Sequence, residues 1–264
     1  MEDFAALRER ARKIYAETPL RPVVEFPDPP KQFLKPEQFV DELAEAVLVH
    51  SAKVVHPFSL KLVRGEWTLK HIKEWVKEGF QDKIQTIRND AMILATAPTL
   101  DEMKKQATVV ASEAGADHSG ALSHPELWLR FGEGLGLSRE EIARHKPTPL
   151  TQIVLDGERY MSMSQRIGGL PSNLRLGERV SSIVYPIWAE ALVRKYGVPK
   201  QAVAFFDVHE EADEEHSDIG KQVVLGRAAT FEAQQEIWLH QAKSHAKQWL
   251  SYDGYYQAMV RVDR

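Results

Sequence analysis

The residues best suited to chemistry lie in the stretch Phe205-Phe206-Asp207-Val208-His209-Glu210-Glu211-Ala212-Asp213-Glu214-Glu215-His216. At ~100° per helical residue, positions 209, 213 and 216 fall within roughly 60° of one another, so two imidazoles and a carboxylate share a face. That face is otherwise apolar, with Ala202, Phe205 and Phe206 before it and Val223 and Val224 after it. Glu211, Glu214, Glu215 and Asp218 mostly lie elsewhere and read as solvated surface. Burying imidazoles and a carboxylate is costly unless something satisfies them, and a divalent metal ion would do so. A chance triple on an acidic helix is the competing reading. A metal site requires other helices to send ligands to the same point.

Glu113 and His124 are candidates for that supply, because they sit at the ends of adjacent helices joined by a glycine-containing turn. Alone, Glu113 would be an ordinary surface residue, as His118 in the turn is expected to be. Glu178 reads equally as a ligand or as a surface carboxylate paired with Arg175 or Arg179. His50 and His56 read as helix-end or core-edge histidines, and His145, His240 and His245 as exposed. Arg88, Arg166 and Arg179 are candidate anchors for a substrate carboxylate. A serine nucleophile finds no Gly-x-Ser-x-Gly elbow, and Gly132-x-Gly134-x-Gly136 follows a helix where a nucleotide loop would follow a strand.

The elements that must position these residues are helical throughout. A short amphipathic helix over 3–16 precedes a proline-rich extended arm around Phe26-Pro27-Asp28-Pro29-Pro30. Helices follow from Pro36 to His50 and from Pro57 to about Gly65. A long one over 68–96 carries Ile72, Trp75, Val76, Phe80, Ile84, Ile87 and Ala91 as its core face. Capping signals at Thr99 and Ser138 open two more, the first with Met103, Ala107 and Val110 as its apolar stripe. Further helices are expected from His124 to Phe131, from Pro149 to about Arg166, and from Leu174 to Tyr196 with a kink at Pro186. One around the His209 motif runs to about Ala229, and a last one starts at Thr230. With no alternating strand, the expectation is an all-α fold. Residues 1–35 form a helix and proline-rich arm, and residues 36–264 one helical domain.

Composition fits an ordinary globular chain of 264 residues, 43% hydrophobic and 27% charged. The net charge of -4 gives no reason to expect nucleic acid or an anionic membrane surface. With no cysteine, disulfides, thiolate metal sites and cysteine nucleophiles are excluded, leaving His, Asp and Glu as strong ligands. The charged N-terminus and the lack of a spanning run suggest a cytoplasmic location.

The ordered landmarks His56-Pro57-Phe58, Asn89-Asp90-Ala91-Met92-Ile93, His124-Pro125-Glu126-Leu127-Trp128, Tyr185-Pro186 and His209-x3-Asp213-x2-His216 resemble the heme-oxygenase-like superfamily. That group includes pyrroloquinoline-quinone synthase, thiaminase-like proteins and heme-oxygenase-like diiron oxidases. The similarity runs from about Glu37 to Trp249 and implies a heme-oxygenase-like helical bundle, commonly a homodimer. Similarity to the diiron members implies that Glu113, His124, His209, Asp213 and His216 match ligand positions. Those members usually carry a further Glu four residues before the proline numbered 186 here. Ser182 stands at that place, and Glu178 lies one turn earlier. Some members add a carboxylate from the long helix, where Glu78 and Asp82 are nearby. The synthase carries a His at position 113 and a His and an Arg where this chain has Ala189 and Leu192. The thiaminase-like cysteine has no counterpart.

The function expected is therefore an O2-activating non-heme iron oxidase or oxygenase acting on a small carboxylate- or amine-bearing metabolite. Two iron ions are expected and one is an alternative, with an electron donor as a possible partner. The competing readings are a cofactor-free oxidase resembling the quinone synthase, a metal-free small-molecule binding protein of the same fold, and a non-catalytic interaction protein.

Overall fold

The computed structural model describes residues 3–20, 25–116, 122–164 and 176–263, with the side chains of 164, 176–177 and 210–219 excepted. These residues form twelve α-helices and one 3-10 turn, and no strand occurs among them. The helices are α1 (Phe4–Glu17), α2 (Pro36–His50), α3 (Ala52–Val55), α4 (Pro57–Arg64), α5 (Leu69–Thr96) and α6 (Leu100–Glu113). They continue as α7 (His124–Gly134), α8 (Arg139–Arg144), α9 (Pro149–Ser164), α10 (Leu176–Tyr196), α11 (Ala204–Arg227) and α12 (Phe231–Arg261). The short helix α3, missed in the periodicity, is opened by the Ser51 hydroxyl accepting from the Lys53 amide. Both capping signals operate, at Thr99 and at Ser138.

The long α5 is the spine, packed against α6, α7, α8, α9 and α12, while α10 and α11 run together on the other side. Between them lies an aromatic core. Trp75 of α5 stacks edge-on to Phe58 at 5.0 Å, to Trp128 at 5.3 Å and to Trp188 at 6.0 Å. Such rings contribute both area, about 1.5–3 kcal/mol each, and directional ring contacts. Trp128 also donates its indole N–H to the Val76 carbonyl at 2.8 Å, which fixes α7 against α5.

Two helix faces differ from the periodic reading, and both differences bring polar residues inward. On α5 the buried positions after Phe80 are Gln85, Asn89, Asp90 and Ile93, whereas Ile84 and Ile87 are half-buried and Ala91 is exposed. On α6 the buried face is Gln106, Val109 and Glu113, while Met103 and Ala107 are exposed. Two bonds from one side chain explain the rotation. Gln106 donates to the backbone carbonyl of Asp90 at 3.2 Å and to its carboxylate at 2.8 Å, clamping α6 so that Glu113 points inward.

Helix α7 passes through Gly132 and Gly134 instead of stopping before them. A Cβ on Gly132 would strike Ile142 and one on Gly134 would strike Ala202, so these glycines permit close packing. Gly136, with φ of 79°, is the residue that turns the chain.

The N-terminal segment is tied to the bundle. Ala11 and Tyr15 of α1 join the main buried cluster, and the arm is held on α12 through Trp238 donating to Pro27 and Gln235 to Pro30, both at 2.8 Å. Pro186 lies inside α10 and cannot donate to the carbonyl four residues back, that of Ser182. Arg8 of α1 supplies a donor to that carbonyl at 3.4 Å.

Candidate functional site

A cavity of about 180 Å³ lies between α5, α6, α7, α9, α10, α11 and α12. Four of the residues expected to hold metal line it: Glu113, His124, Glu178 and His209. Glu113 is the last residue of α6 and His124 the first of α7, both buried, with α7 opened by the Ser123 hydroxyl accepting from the Glu126 amide. His118 in the connecting turn lies outside the described residues. So do Arg166 and Arg175, and the side chains of Asp213 and His216, although α11 runs through the last two positions.

Glu113 Oε2 is buried without a hydrogen-bond partner, yet it lies against His124 Nδ1. The His124 and His209 rings stand 4.2 Å apart, centroid to centroid. A carbonyl only accepts, so the contact from His209 Nδ1 to the Phe205 carbonyl places the ring proton on Nδ1. The Nε2 lone pair is left available, in the usual manner of a ligating imidazole held through its other nitrogen. Burial first, and then the neighbouring His124, push His209 well below its ordinary pKa, so it stands as neutral imidazole.

A buried carboxylate that meets an imidazole nitrogen, with a second imidazole ring beside it, groups oxygen and nitrogen ligand atoms on one stretch of the cavity wall. The same oxygen and nitrogen donors fit a hard-to-borderline cation such as iron. Among the described residues no three His, Asp or Glu side chains converge closely enough to hold an ion by themselves.

The α10 face toward the cavity is Glu178, Ser181, Tyr185 and Trp188, at spacings of three, four and three. Glu178 is thus on the lining stripe. Ser182 is one residue off it, fully buried, donating its hydroxyl to the Arg179 carbonyl at 2.9 Å. The two α5 carboxylates also separate. Glu78 is buried outside the lining, accepting from the Thr148 amide and bonded to His145, both at 2.8 Å. Asp82 faces the cavity.

The structure adds a group of which sequence reasoning named only Asp82. Asp82 and Lys83 pair at 2.8 Å and Glu158 and Lys247 at 2.5 Å, all four lining the cavity. Asn89 donates to Glu158 at 3.3 Å and is itself held by Gln85 at 2.7 Å. The Lys83 ammonium also lies 5.0 Å from the Trp128 ring centroid and 5.4 Å from that of Phe205. Burial would raise Asp82, but Lys83 and Lys247 outweigh it and hold the acid below its usual range. For Glu158 burial wins over Lys247 and the carboxyl is pushed up.

Of the expected arginine anchors, the two that are described do not line the cavity: Arg88 is exposed and Arg179 is buried elsewhere. Lys53, Lys83 and Lys247 are the cavity's cations. A signal for them existed in the polar residues at core spacing late in α5 and in Lys247, Ser251 and Tyr255 on one face of α12. Three histidines read as exposed are not. His145 is partly buried against Glu78, His245 is buried against the Phe26 ring at 5.2 Å, and burial pushes the partly buried His240 down to about 4.

Comparison with known proteins agrees with this architecture. The chain is 28% identical to pyrroloquinoline-quinone synthase of Cronobacter sakazakii over 138 residues, 52% of each chain. It is 29% identical to 4-aminobenzoate synthase of Chlamydia pneumoniae over 128 residues, 46% of this chain and 57% of that one. The match thus spans about half the length of these curated relatives. Among solved structures, a domain with a heme oxygenase-like fold from Shewanella denitrificans superposes with a TM-score of 0.66 at 17% identity, covering 86% of this chain and 91% of that one. A TenA homologue from P. horikoshii gives 0.62 at 14% identity, covering 85% and 97%. The fold is therefore the all-α, heme-oxygenase-like bundle expected from the landmarks. Among the described residues no helix is long and apolar enough to cross a membrane. Residues 73–248, more than half of the chain and the stretch that carries most of the cavity wall, match the family described as iron-containing redox enzymes, and the chain belongs to that family.

Proposed function

We propose that this protein is an oxidoreductase that uses O2 and non-heme iron to transform a small metabolite. The observation that carries the reading is the buried Glu113 carboxylate against His124 Nδ1, with the His209 ring beside it at the cavity wall. In this proposal Glu113, His124 and His209 hold iron together with Asp213 and His216, and Glu178 is the candidate for a second ion. Bound there, iron supplies the one-electron chemistry that lets O2 react with an organic substrate. The chain's own contributions follow from geometry. The Phe205 carbonyl holds the His209 tautomer, the Gln106 clamp orients Glu113, and the rings of Trp128, Phe205 and Tyr185 keep bulk water from that wall. A monooxygenation, or a desaturation that reduces O2 to two waters, would draw two electrons from a donor protein or small reductant, whereas a two-electron oxidation of the substrate that reduces O2 to H2O2 would not.

The test is iron content and O2 consumption in the unaltered chain and in Glu113→Ala, Asp213→Ala and His216→Ala. The unaltered protein should take up iron and the variants should lose most of it. Normal iron loading in all three would sink the assignment. Turnover by protein shown to be free of metal would favour the cofactor-free alternative instead.

A further inference from the structure

Two ion pairs line the same cavity on helices other than those of Glu113, His124, Glu178 and His209, with Lys83 close enough to act electrostatically on both Glu113 and His209. Asp82 and Lys83 belong to α5, Glu158 to α9 and Lys247 to α12. Each pair also feels the other, Asp82 interacting with Lys247 and Lys83 with Glu158. As a purely structural device this arrangement is poor, since buried ion pairs seldom stabilise more than well-packed apolar residues would. Nor is it sealed in the packing, because all four side chains face empty space. The remaining wall is aromatic, with Trp128, Phe205, Tyr252 and Tyr255 among its rings.

We infer that these four residues bind the head group of a zwitterionic substrate, an amino-acid-like carboxylate and ammonium, whose apolar body lies along the aromatic wall. The carboxylate is received by Lys83 and Lys247 and the ammonium by Asp82 and Glu158. A ligand of one sign meets two like charges here, whereas a zwitterion can be oriented so that it meets none, and that difference is the basis of selection. The inference rests on the proposed oxidoreductase function for its word substrate, but binding of the head group does not depend on iron.

The experiment measures binding by calorimetry and by thermal upshift on the full chain as purified, with iron content determined on the same samples. The probes are L-phenylalanine, L-leucine, L-methionine and L-glutamate, each beside its deaminated acid and its decarboxylated amine. At least one amino acid should bind, and more tightly than both of its analogues by about tenfold or more, as expected for loss of a charge-assisted contact. In Lys247→Gln and Glu158→Gln that preference should collapse while iron content stays unchanged. Three outcomes overturn the inference: no amino acid binding up to ~10 mM, the weak end of specific affinity; a deaminated acid or an amine binding as tightly as its parent; or a preference untouched in folded variants. If a variant fails to fold, the probe comparison in the unaltered chain still decides. Loss of iron without change in probe binding would fault the metal assignment alone.

Discussion

Two groups of charged side chains around the cavity solve the problem of buried charge in different ways. On α5, α9 and α12, carboxylates and ammoniums neutralise one another in pairs, and Asn89 and Gln85 support one of the carboxylates. On α6, α7 and α11, the Glu113 carboxylate meets His124 Nδ1 and the neutral His209 ring stands beside them. The first group is balanced by ammonium ions, whereas the second brings its carboxylate together with imidazoles.

The largest effect should come from breaking the ion-paired group. Lys247→Met leaves Glu158 buried without its ammonium and should cost about 3–5 kcal/mol in urea unfolding, whereas adding Glu158→Leu should recover most of that loss. A double variant as unstable as the single one would show that the pairs are not the self-sufficient unit described. Next, Gln106→Ala removes both bonds to Asp90 and should cost about 1–3 kcal/mol, with weaker iron uptake because Glu113 loses its orientation. Undiminished uptake would detach the clamp from the site.

Glu113→Gln sharpens the contrast further. In metal-free protein it replaces the carboxylate that meets His124 Nδ1 by a neutral amide of similar volume and should cost no more than about 1–2 kcal/mol. Iron content should nevertheless fall severely. A strong destabilisation without metal would make Glu113 a structural residue.

The smallest effect is a change of slope with pH at Glu78, a carboxylate satisfied entirely by protein. Burial would raise it, but bonds from His145, Thr151 and Thr148 outweigh burial and hold it below its ordinary value. A depressed carboxylate contributes stability above the unfolded-state pKa of about 4.3, and that contribution is lost as pH falls through the lower folded-state value. Glu78→Gln should therefore flatten the acid limb of the stability profile, which chemical denaturation at stepped pH would read.

Much of the fold was legible in sequence because helices announce themselves by caps, prolines and spacing. Ser138 with Glu141, Thr99 and the Pro57 and Pro149 starts all fall where helices begin. Glu113, His124 and His209 were legible because each sits at core spacing or at a helix end. The paired charges were not, since a lysine in a helix is ordinarily read as solvent-facing. Only the three-dimensional meeting of α5, α9 and α12 shows that Lys83 and Lys247 face a cavity. The faces of α5 and α6 were misread for a related reason. Periodicity follows apolar residues, whereas the Gln106 and Asp90 bonds turn polar residues inward at a helix-to-helix contact.

The contact between Arg8 and the Ser182 carbonyl has a practical meaning. Pro186 leaves a gap in the backbone ladder of α10 at the level of Ser181 and Tyr185, and a donor from α1 fills it. The first helix is therefore a splint on the wall of the cavity, and a purification tag or trimming at that end is not a neutral handle for measuring binding there.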